Sequence, residues 1–483
     1  MIVSGGEASI HPNFIDFIAY GQELGYDWIQ TISNGRSFAS QKFAKAAADA
    51  GLKEVTFSMH GHNEALHDKL SGVKGAFKQA LKGMLNLLRD GRLVVNVDVV
   101  INKMNVEHLE DILRFYQNLG IHEFDLLQLV PFGRAWSEEY RDELFYDVKK
   151  AFPHLQRAFR YAYRPGNYIW TNRFPVSMLE GMEELIQDPH KLHDELRGRM
   201  GEFQKFIDTG EKLACFGERC KYCFPKGMCY AIYDAQERVN EKRLESLGLA
   251  INDDGELPKS FEFLLSTQPI KNLRIKAPNF KTLLKAFASP KIDHEIGLSI
   301  ELDDWSDYPE RDNQQHSWLK QVYELVLSTA EAVEKLAGRS EALKIPINRQ
   351  TARAAWQSRT KIATRADVTL LVPGFVQLSK AREQLVDMER YLKGWLKSSV
   401  KVENAPLCMH PNSLPSQAMP LDAVHYDEKG KLLADVFVDH YISHGYFAKS
   451  ERCSDCIYND KCNGMQINYL RTFGFKTLKP INN

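Results

Sequence analysis

Eight cysteines are the residues of this sequence best suited to chemistry, and they fall into two groups of four. Cys215, Cys220, Cys223 and Cys229 form the first group; Cys408, Cys453, Cys456 and Cys462 form the second. The stretches Cys220-Lys-Tyr-Cys223-Phe-Pro-Lys-Gly-Met-Cys229 and Cys453-Ser-Asp-Cys456-Ile-Tyr-Asn-Asp-Lys-Cys462 repeat one pattern, C-x2-C-x5-C. A C-x2-C turn can aim two sulfurs at one ion, and the backbone N–H groups of the turn offset the charge on sulfur. Each triad needs one more ligand. Cys215 can complete the first locally, and Cys408 is the only cysteine left for the second. Four thiolates suit structural zinc and an iron–sulfur cluster alike, and spacing does not separate the two. Either way the centre is closed. It leaves no open position for substrate, so it is structural or electron-carrying. Disulfides would suit a small secreted domain short of core, and this chain is neither small nor visibly secreted.

Other polar groups are weaker candidates. His60 and His62 flank Gly61, and His67 follows. They can bind a metal only with help from Glu64 or Asp68, so substrate-facing or loop-ordering roles are favoured. Asp303, Asp304, Asp307 and Glu310 read as a solvated acidic loop, with a carboxylate metal site as the alternative.

The chain has 483 residues, a net charge of -1 and 44% hydrophobic content, enough for two or three domains with cores. Near-neutral charge argues against nucleic acid as a partner. The start, Met1-Ile2-Val3-Ser4-Gly5-Gly6-Glu7, has neither the basic nor the apolar region of a signal peptide. No apolar run approaches the roughly 20 residues that span a bilayer, so no membrane association is expected. The expected setting is a reducing, cytoplasmic one.

Positioning falls to alternating strands and helices. Ile2 to Ser4, Asp27 to Ser33, Glu54 to Ser58, Leu93 to Ile101 and Phe124 to Val130 read as strands. Helical stripes lie between them: Phe14, Phe17, Ile18 and Gly21; then Phe77, Leu81, Met84, Leu85 and Leu88; then Leu109, Ile112, Leu113 and Tyr116. Ser37 is placed to cap an Ala-rich helix, and Asn105 to cap the third stripe. Apolar strands separated by helices imply a parallel sheet covered by helices, with chemistry at its carboxyl ends. Residues 137–214 read as mainly helical, and the stretch after Cys229 to about residue 258 as polar. In a second α/β region Leu273 to Ile275 and Val368 to Val372 read as strands, and Trp318 to Leu336 and Leu378 to Leu396 as helices.

Polar and glycine residues follow each strand of the first region: Ser4-Gly5-Gly6-Glu7, Ser33-Asn34-Gly35, Ser58-Met59-His60-Gly61-His62, Asn102, and Pro131-Phe132-Gly133-Arg134-Ala135. Each is an ordinary turn taken singly. Together they resemble the radical S-adenosylmethionine enzymes. In that resemblance Gly5, Gly6 and Glu7 match the Gly-Gly-Glu motif that holds the amino end of S-adenosylmethionine. Ser58 matches a strand-end residue near the ribose, Asn102 a polar position after a later strand, and Pro131 to Ala135 the adenine region. His67-Asp68-Lys69-Leu70-Ser71-Gly72 is also typical. The resemblance covers residues 1–230 and extends to the tail, where C-x2-C-x5-C looks like the auxiliary-cluster regions called SPASM and twitch. The SPASM pattern continues with a further cysteine after x3, where this chain has Gln466, so Cys408 must fill in.

The resemblance implies a partial (β/α)6-type parallel barrel lacking its first strand, followed by a second α/β region with the cysteine motifs. Its divisions would be a partial barrel over 1–135, a helical extension over 136–214, the first cysteine cluster over 215–230, the second α/β region over 231–400, and a SPASM/twitch-like cysteine region over 401–483. It implies two auxiliary four-iron four-sulfur clusters, with zinc as the alternative, and an electron donor. It also implies cleavage of S-adenosylmethionine to a 5′-deoxyadenosyl radical that attacks a small-molecule or peptide substrate. One departure matters. The catalytic C-x3-C-x2-C motif, which lies upstream of Gly-Gly-Glu in that family, is absent from this sequence. The expectation is therefore an incomplete enzyme, inactive by itself, that binds S-adenosylmethionine weakly. The rival reading is a non-catalytic iron–sulfur electron carrier or zinc-binding scaffold.

Overall fold

The computed structural model describes residues 1–482 apart from 289–291, 310–316 and 416, so Glu310 of the acidic stretch lies outside the described residues. The chain divides into two compact units. The first is Met1–Gln187 with Tyr222–Phe224, and the second is Asp188–Lys221 with Pro225–Asn483.

The first unit is built on a six-stranded sheet: β1 Ile2–Val3, β2 Gln30–Ser33, β3 Glu54–Ser58, β4 Val94–Ile101, β5 Glu123–Gln128 and β6 Tyr168–Asn172. All neighbours are parallel, and spatial order follows chain order. Each connection is long enough to hold a helix, as parallel pairing requires. The helices include Phe14–Glu23, Gln41–Asp49, Ala76–Asp90, Leu109–Gln117 and Val148–Phe159. Alternate strand residues Val55, Phe57, Val97, Val99, Phe124 and Leu126 are fully buried, as are Met84, Leu87, Ile112, Leu113 and Tyr116 on the helices. The opposite residues of the strands are polar: Thr56 and Ser58, then Asn96 and Asp98, then Asp125. A period of two separates these faces.

The parallel α/β architecture expected from the apolar strands is present in both units, with local corrections. β6 was not foreseen in the stretch read as helical, because Tyr168-Ile-Trp-Thr-Asn is short and only Ile169 and Thr171 are buried. Ser37 begins a 3-10 turn and does not cap; Ser40 does, its Oγ accepting from the Phe43 N–H at 3.4 Å. Asn105 makes no cap either, since its Oδ1 accepts from the Asn102 N–H at 2.8 Å, while its Nδ2 donates to the carbonyls of Val100 and His60 at 3.0 and 3.2 Å.

The second unit holds a seven-stranded parallel sheet, again in chain order: β7 Ser246–Ala250, β8 Asn272–Asn279, β9 Gly297–Asp304, β10 Val322–Val326, β11 Ala342–Pro346, β12 Val368–Leu371 and β13 Lys401–Glu403. The helix Lys226–Asn240, which includes Cys229, runs into the polar stretch after it, and β7 follows. Trp318 to Leu336 is not one helix. It contains β10 and the shorter helix Ala330–Leu336, whose cap is Thr329. The span Leu378 to Leu396 holds two short helices, Leu378–Gln384 and Met388–Lys393. A small antiparallel pair, β14 Phe447–Ala448 and β15 Met465–Gln466, lies beside the last cysteines in sequence. Among the described residues, no helix is long and apolar enough to cross a membrane.

Candidate functional site

The carboxyl rim of the first sheet gathers the loops that sequence singled out. Gly5 and Gly6, after β1, both have positive φ (113° and 55°), the region that favours glycine. Glu7 then ties this loop to the next. Its Oε1 accepts from the Ser33 hydroxyl at 2.8 Å and the Ser9 hydroxyl at 2.5 Å, and its Oε2 accepts from the Asn34 N–H at 2.6 Å. The carboxylate therefore orders the ends of β1 and β2, and in this conformation both of its oxygens are engaged. Ser58 ends β3, and its hydroxyl donates to Asp98 Oδ2 at 3.0 Å. Asn102 is buried after β4, where its Oδ1 accepts from the Met104 N–H at 3.0 Å and its Nδ2 donates to the Val100 carbonyl at 3.1 Å. Gly133, in the Pro131 to Ala135 segment, opens a 3-10 turn after β5.

The histidines order loops. His60 Nδ1 accepts from the Val100 N–H at 3.4 Å, and His67 Nδ1 accepts from the His60 N–H at 3.2 Å. Burial, then the neighbouring His67, pushes His60 down to about 4, so its ring is neutral. Sequence reasoning missed Asp98. Burial raises it to about 6, against the lowering effect of the Ser58 hydroxyl, with Asp125 adding to the rise. Its signal was available: Asn96 and Asp98 break an apolar strand at a spacing of two, on the face opposite the core.

In the second unit Cys408, Cys453, Cys456 and Cys462 line one small cavity together with Pro406, Leu407 and Ile481. Cys408 is thus brought to the three cysteines that lie far from it in sequence. Backbone amides point at the sulfurs: Gly464 N–H donates to Cys462 Sγ at 3.3 Å, and Ile481 N–H to Cys456 Sγ at 3.4 Å. Amides so placed offset thiolate charge, which fits a metal or iron–sulfur centre. Gly464 has φ 82°, and a Cβ there would lie 1.9 Å from the Ala448 carbonyl oxygen, so only glycine fits this turn. Burial is the main cause raising the Cys408 and Cys453 thiols.

In the first group three cysteines belong to the second unit. Cys220 Sγ donates to the Cys215 carbonyl at 3.9 Å, and Cys215, Cys220 and Cys229 all lie near enough to Tyr233 to act on its hydroxyl, which burial raises most. Cys223 falls in the Tyr222–Phe224 segment that belongs to the first unit. No disulfide is formed among the described residues, which include all eight cysteines.

Two further clusters escaped sequence reasoning: His190 and His193 meet Asp439, remote in the chain, while Asp422, His425 and His440 lie close in sequence but in no spacing that marks a metal site. Asp422, His425 and His440 hold donor atoms within 4.8 Å of one another, as do His190, His193 and Asp439. The former is knit internally. Arg274 donates to Asp422 Oδ1 at 3.0 Å, the Asp422 N–H to His425 Nδ1 at 3.3 Å, and His440 Nε2 lies 2.5 Å from the Pro420 carbonyl.

Residues 1–116 match the radical SAM superfamily. Over 160 residues the chain is 29% identical to an AdoMet-dependent heme synthase of Oleidesulfovibrio alaskensis, covering 31% of this chain and 40% of that protein. Over 131 residues it is 28% identical to a probable GTP 3′,8-cyclase of Saccharolobus solfataricus, covering 27% of this chain and 42% of that one. The chain thus spans about two fifths of the length of the curated relatives it matches. The crystal structure of Streptococcus suis SuiB aligns with 38% of this chain and 41% of its own at 15% identity, with a TM-score of 0.30.

Proposed function

We propose that this chain, whose residues 1–116 are a radical SAM superfamily region, is an iron–sulfur protein that takes part in reductive S-adenosylmethionine chemistry on a peptide or other small substrate. The carrying observation is the convergence of Cys408 with Cys453, Cys456 and Cys462 around one cavity, with amide N–H groups aimed at sulfur. An iron–sulfur cluster held there would supply one-electron chemistry. The chain's own residues hold that centre and order the rim of the first sheet. Glu7 fixes the Gly5-Gly6 loop against β2, leaving backbone groups of that loop to meet the methionine end of the ligand. Ser58 stands at the end of β3, where a ribose would lie, and Asn102, just after β4, is a further polar group for the ligand. Cys215, Cys220 and Cys229 are the second unit's thiols for a further centre.

The centres are tested by iron and sulfide analysis after anaerobic purification. Cys408→Ala should lose as much iron as Cys456→Ala, roughly one centre's worth. Wild-type iron in the Cys408 variant would remove it from the ligand set, and stoichiometric zinc would make both centres scaffolds. Activity is a separate test. The 483 residues contain no C-x3-C-x2-C motif, and closed four-cysteine centres leave no site for the amino and carboxylate groups of S-adenosylmethionine. The reduced, reconstituted chain should therefore release no 5′-deoxyadenosine by itself, and should do so when a segment carrying that motif is supplied. Sustained release from this chain alone would mean that one cysteine group has an exchangeable ligand.

A further inference from the structure

Most charged groups of the second sheet answer one another. One face of the sheet is apolar, with Leu273, Leu298, Ile300, Leu325, Leu343 and Leu370 buried. On the other, Lys276 pairs with Glu301 at 2.9 Å, and Lys344 with Glu403 at 3.0 Å and with Glu324 at 3.7 Å, a cross-strand ladder closed on itself. These groups line a cavity of about 1180 Å³. Asp422 lines the same cavity and is matched differently. Arg274 donates to its Oδ1 at 3.0 Å, but its Oδ2 faces His440 Nδ1 at 3.9 Å, beyond hydrogen-bond reach.

The other side of the His440 ring fixes its tautomer. Its Nε2 lies 2.5 Å from the Pro420 carbonyl oxygen, which can only accept, so Nε2 carries the hydrogen. In the neutral ring Nδ1 then holds a lone pair, turned toward a carboxylate oxygen. A proton on Nδ1 does not bridge 3.9 Å, whereas an ion with bonds of about 2.0–2.2 Å to each atom does. His425 completes the set. One donor atom from each of Asp422, His425 and His440 lies within 4.8 Å of the other two. His425 Nδ1 meets the Asp422 N–H at 3.3 Å, a long contact that an ion would replace. Both histidines are buried, and their rings stand 4.2 Å apart, centre to centre. Reciprocal capping of Asp422 and His425 holds the two side chains in place before an ion arrives.

Two imidazoles and one carboxylate are a donor set for zinc and its first-row neighbours rather than for calcium or magnesium, which take oxygen. The outer partners of such a site are also present. A ligating histidine gives its other N–H to a carbonyl, as His440 does to Pro420, and a ligating carboxylate is itself hydrogen-bonded, as Asp422 is by Arg274. The His190, His193 and Asp439 cluster differs. There His193 Nε2 already bonds Asp439 Oδ1 at 2.8 Å, and His190 and Asp439 are exposed.

We propose that Asp422, His425 and His440 bind one zinc ion, which ties the turn Ala423–His425 to the helix Ala434–His444. Three protein ligands leave a fourth position, as in zinc sites that hold water or substrate. The cavity lined by Asp422, Arg274 and His444 gives that position a route to solvent.

The site does not rest on the function proposed above, but Cys462 lines the same cavity, so iron and zinc are counted separately. The full-length protein is reconstituted anaerobically with iron and sulfide to occupy the cysteines, incubated with Zn²⁺ and desalted. Metal analysis should find about one zinc per chain beside the iron. His440→Gln and Asp422→Asn should lose that zinc and keep wild-type iron, while His193→Gln should keep both. If the cysteines take zinc in place of iron, wild type should still exceed His440→Gln by about one zinc per chain. Hydrogen exchange read by mass spectrometry on the wild type needs no variant. Zn²⁺ at about ten times its Kd should slow exchange about tenfold over residues 422–426 and 434–444, and this measurement decides if the variants lose iron as well. Equal zinc in wild type, His440→Gln and Asp422→Asn, loss of the zinc in His193→Gln, or exchange over those residues unchanged by Zn²⁺ would overturn the proposal.

Discussion

The two parallel sheets follow one plan and place their polar groups differently. Both run in chain order and bury an apolar face. In the first sheet the groups matched to S-adenosylmethionine sit at or beyond the strand ends: Gly5, Gly6 and Glu7 after β1, Ser58 as the last residue of β3, and Asn102 after β4, while the strands also carry Asn96, Asp98 and Asp125 on one face. In the second sheet the charged groups lie within the strands, at every second residue, as in Arg274 and Lys276 or Ser299 and Glu301. A rim of loops can change without disturbing the sheet, whereas a ladder of charges is part of the sheet. The first arrangement suits a site assembled from turns, and the second a face closed by its own ion pairs.

The largest effects should show the sheets to be alike where the comparison says they are. Phe124 on β5 and Leu325 on β10 are both fully buried. Phe124→Ala should cost about 3–5 kcal/mol and Leu325→Ala about 2–5 kcal/mol, from lost transfer energy and the cavity left behind. Urea unfolding followed separately in each unit measures both. A cost below about 1 kcal/mol for Leu325→Ala would mean that the second sheet lacks the packed face described above.

The same difference decides what the sequence reveals. In the first region apolar runs such as Leu-Val-Val-Asn-Val-Asp-Val-Val-Ile stand out as strands, and glycine and asparagine mark the turns after them. Polar residues in loops do not blur that signal. In the second region the charges that line the cavity also mask the strands. β9, Gly-Leu-Ser-Ile-Glu-Leu-Asp-Asp, and β10, Val-Tyr-Glu-Leu-Val, have a polar residue at alternate positions, and β10 was absorbed into a helix that ends at Leu336. The cysteine pattern was legible because its spacing is local, and Cys408 could be assigned to the second group only because no other cysteine remained. The charge ladder was not legible, since it joins residues from distant strands, and the Asp422, His425 and His440 cluster was not, since it depends on how a short turn and the helix Ala434–His444 fold together. Asp98 was legible in pattern but not in consequence, because its burial depends on neighbours in β3 and β5.

Asp98 sharpens the comparison through pH. It is a buried carboxyl whose Oδ1 has no hydrogen-bond partner among the described residues and whose Oδ2 accepts from Ser58. The carboxylates of the second ladder, by contrast, each face a lysine. Burial raises Asp98 from 3.8 to about 6, so between those values the folded state holds a proton that the unfolded state releases. Its effect on stability is nil below pH 3.8 and becomes increasingly unfavourable as pH rises to about 6. It then levels at no more than about 3 kcal/mol. Asp98→Asn keeps an acceptor for Ser58 and removes the charge. The variant should match wild type at pH 4 and exceed it by about 2 kcal/mol at pH 8. Thermal melts across that range measure the gap, and a gap independent of pH would show that Asp98 is ionised without penalty. Glu324→Gln in the second sheet should give no such gain.

The smallest effect belongs to the ladder itself. Lys344 is 22% exposed, and its partners Glu324 and Glu403 are 14% and 20% exposed, so water reaches the pairs and screens them. Lys344→Met keeps the unbranched stem that packs along the sheet and removes only the ammonium group. Glu324 retains its hydrogen bond from Ser299 at 2.7 Å. The substitution should therefore cost about 1 kcal/mol, between an exposed pair and a fully buried one. The cost should shrink further in 1 M salt, where the Debye length falls to about 3 Å. Chemical denaturation with urea at low and high salt reads the difference directly. A cost of about 4 kcal/mol, unchanged by salt, would make the ladder a sealed internal network closed to water.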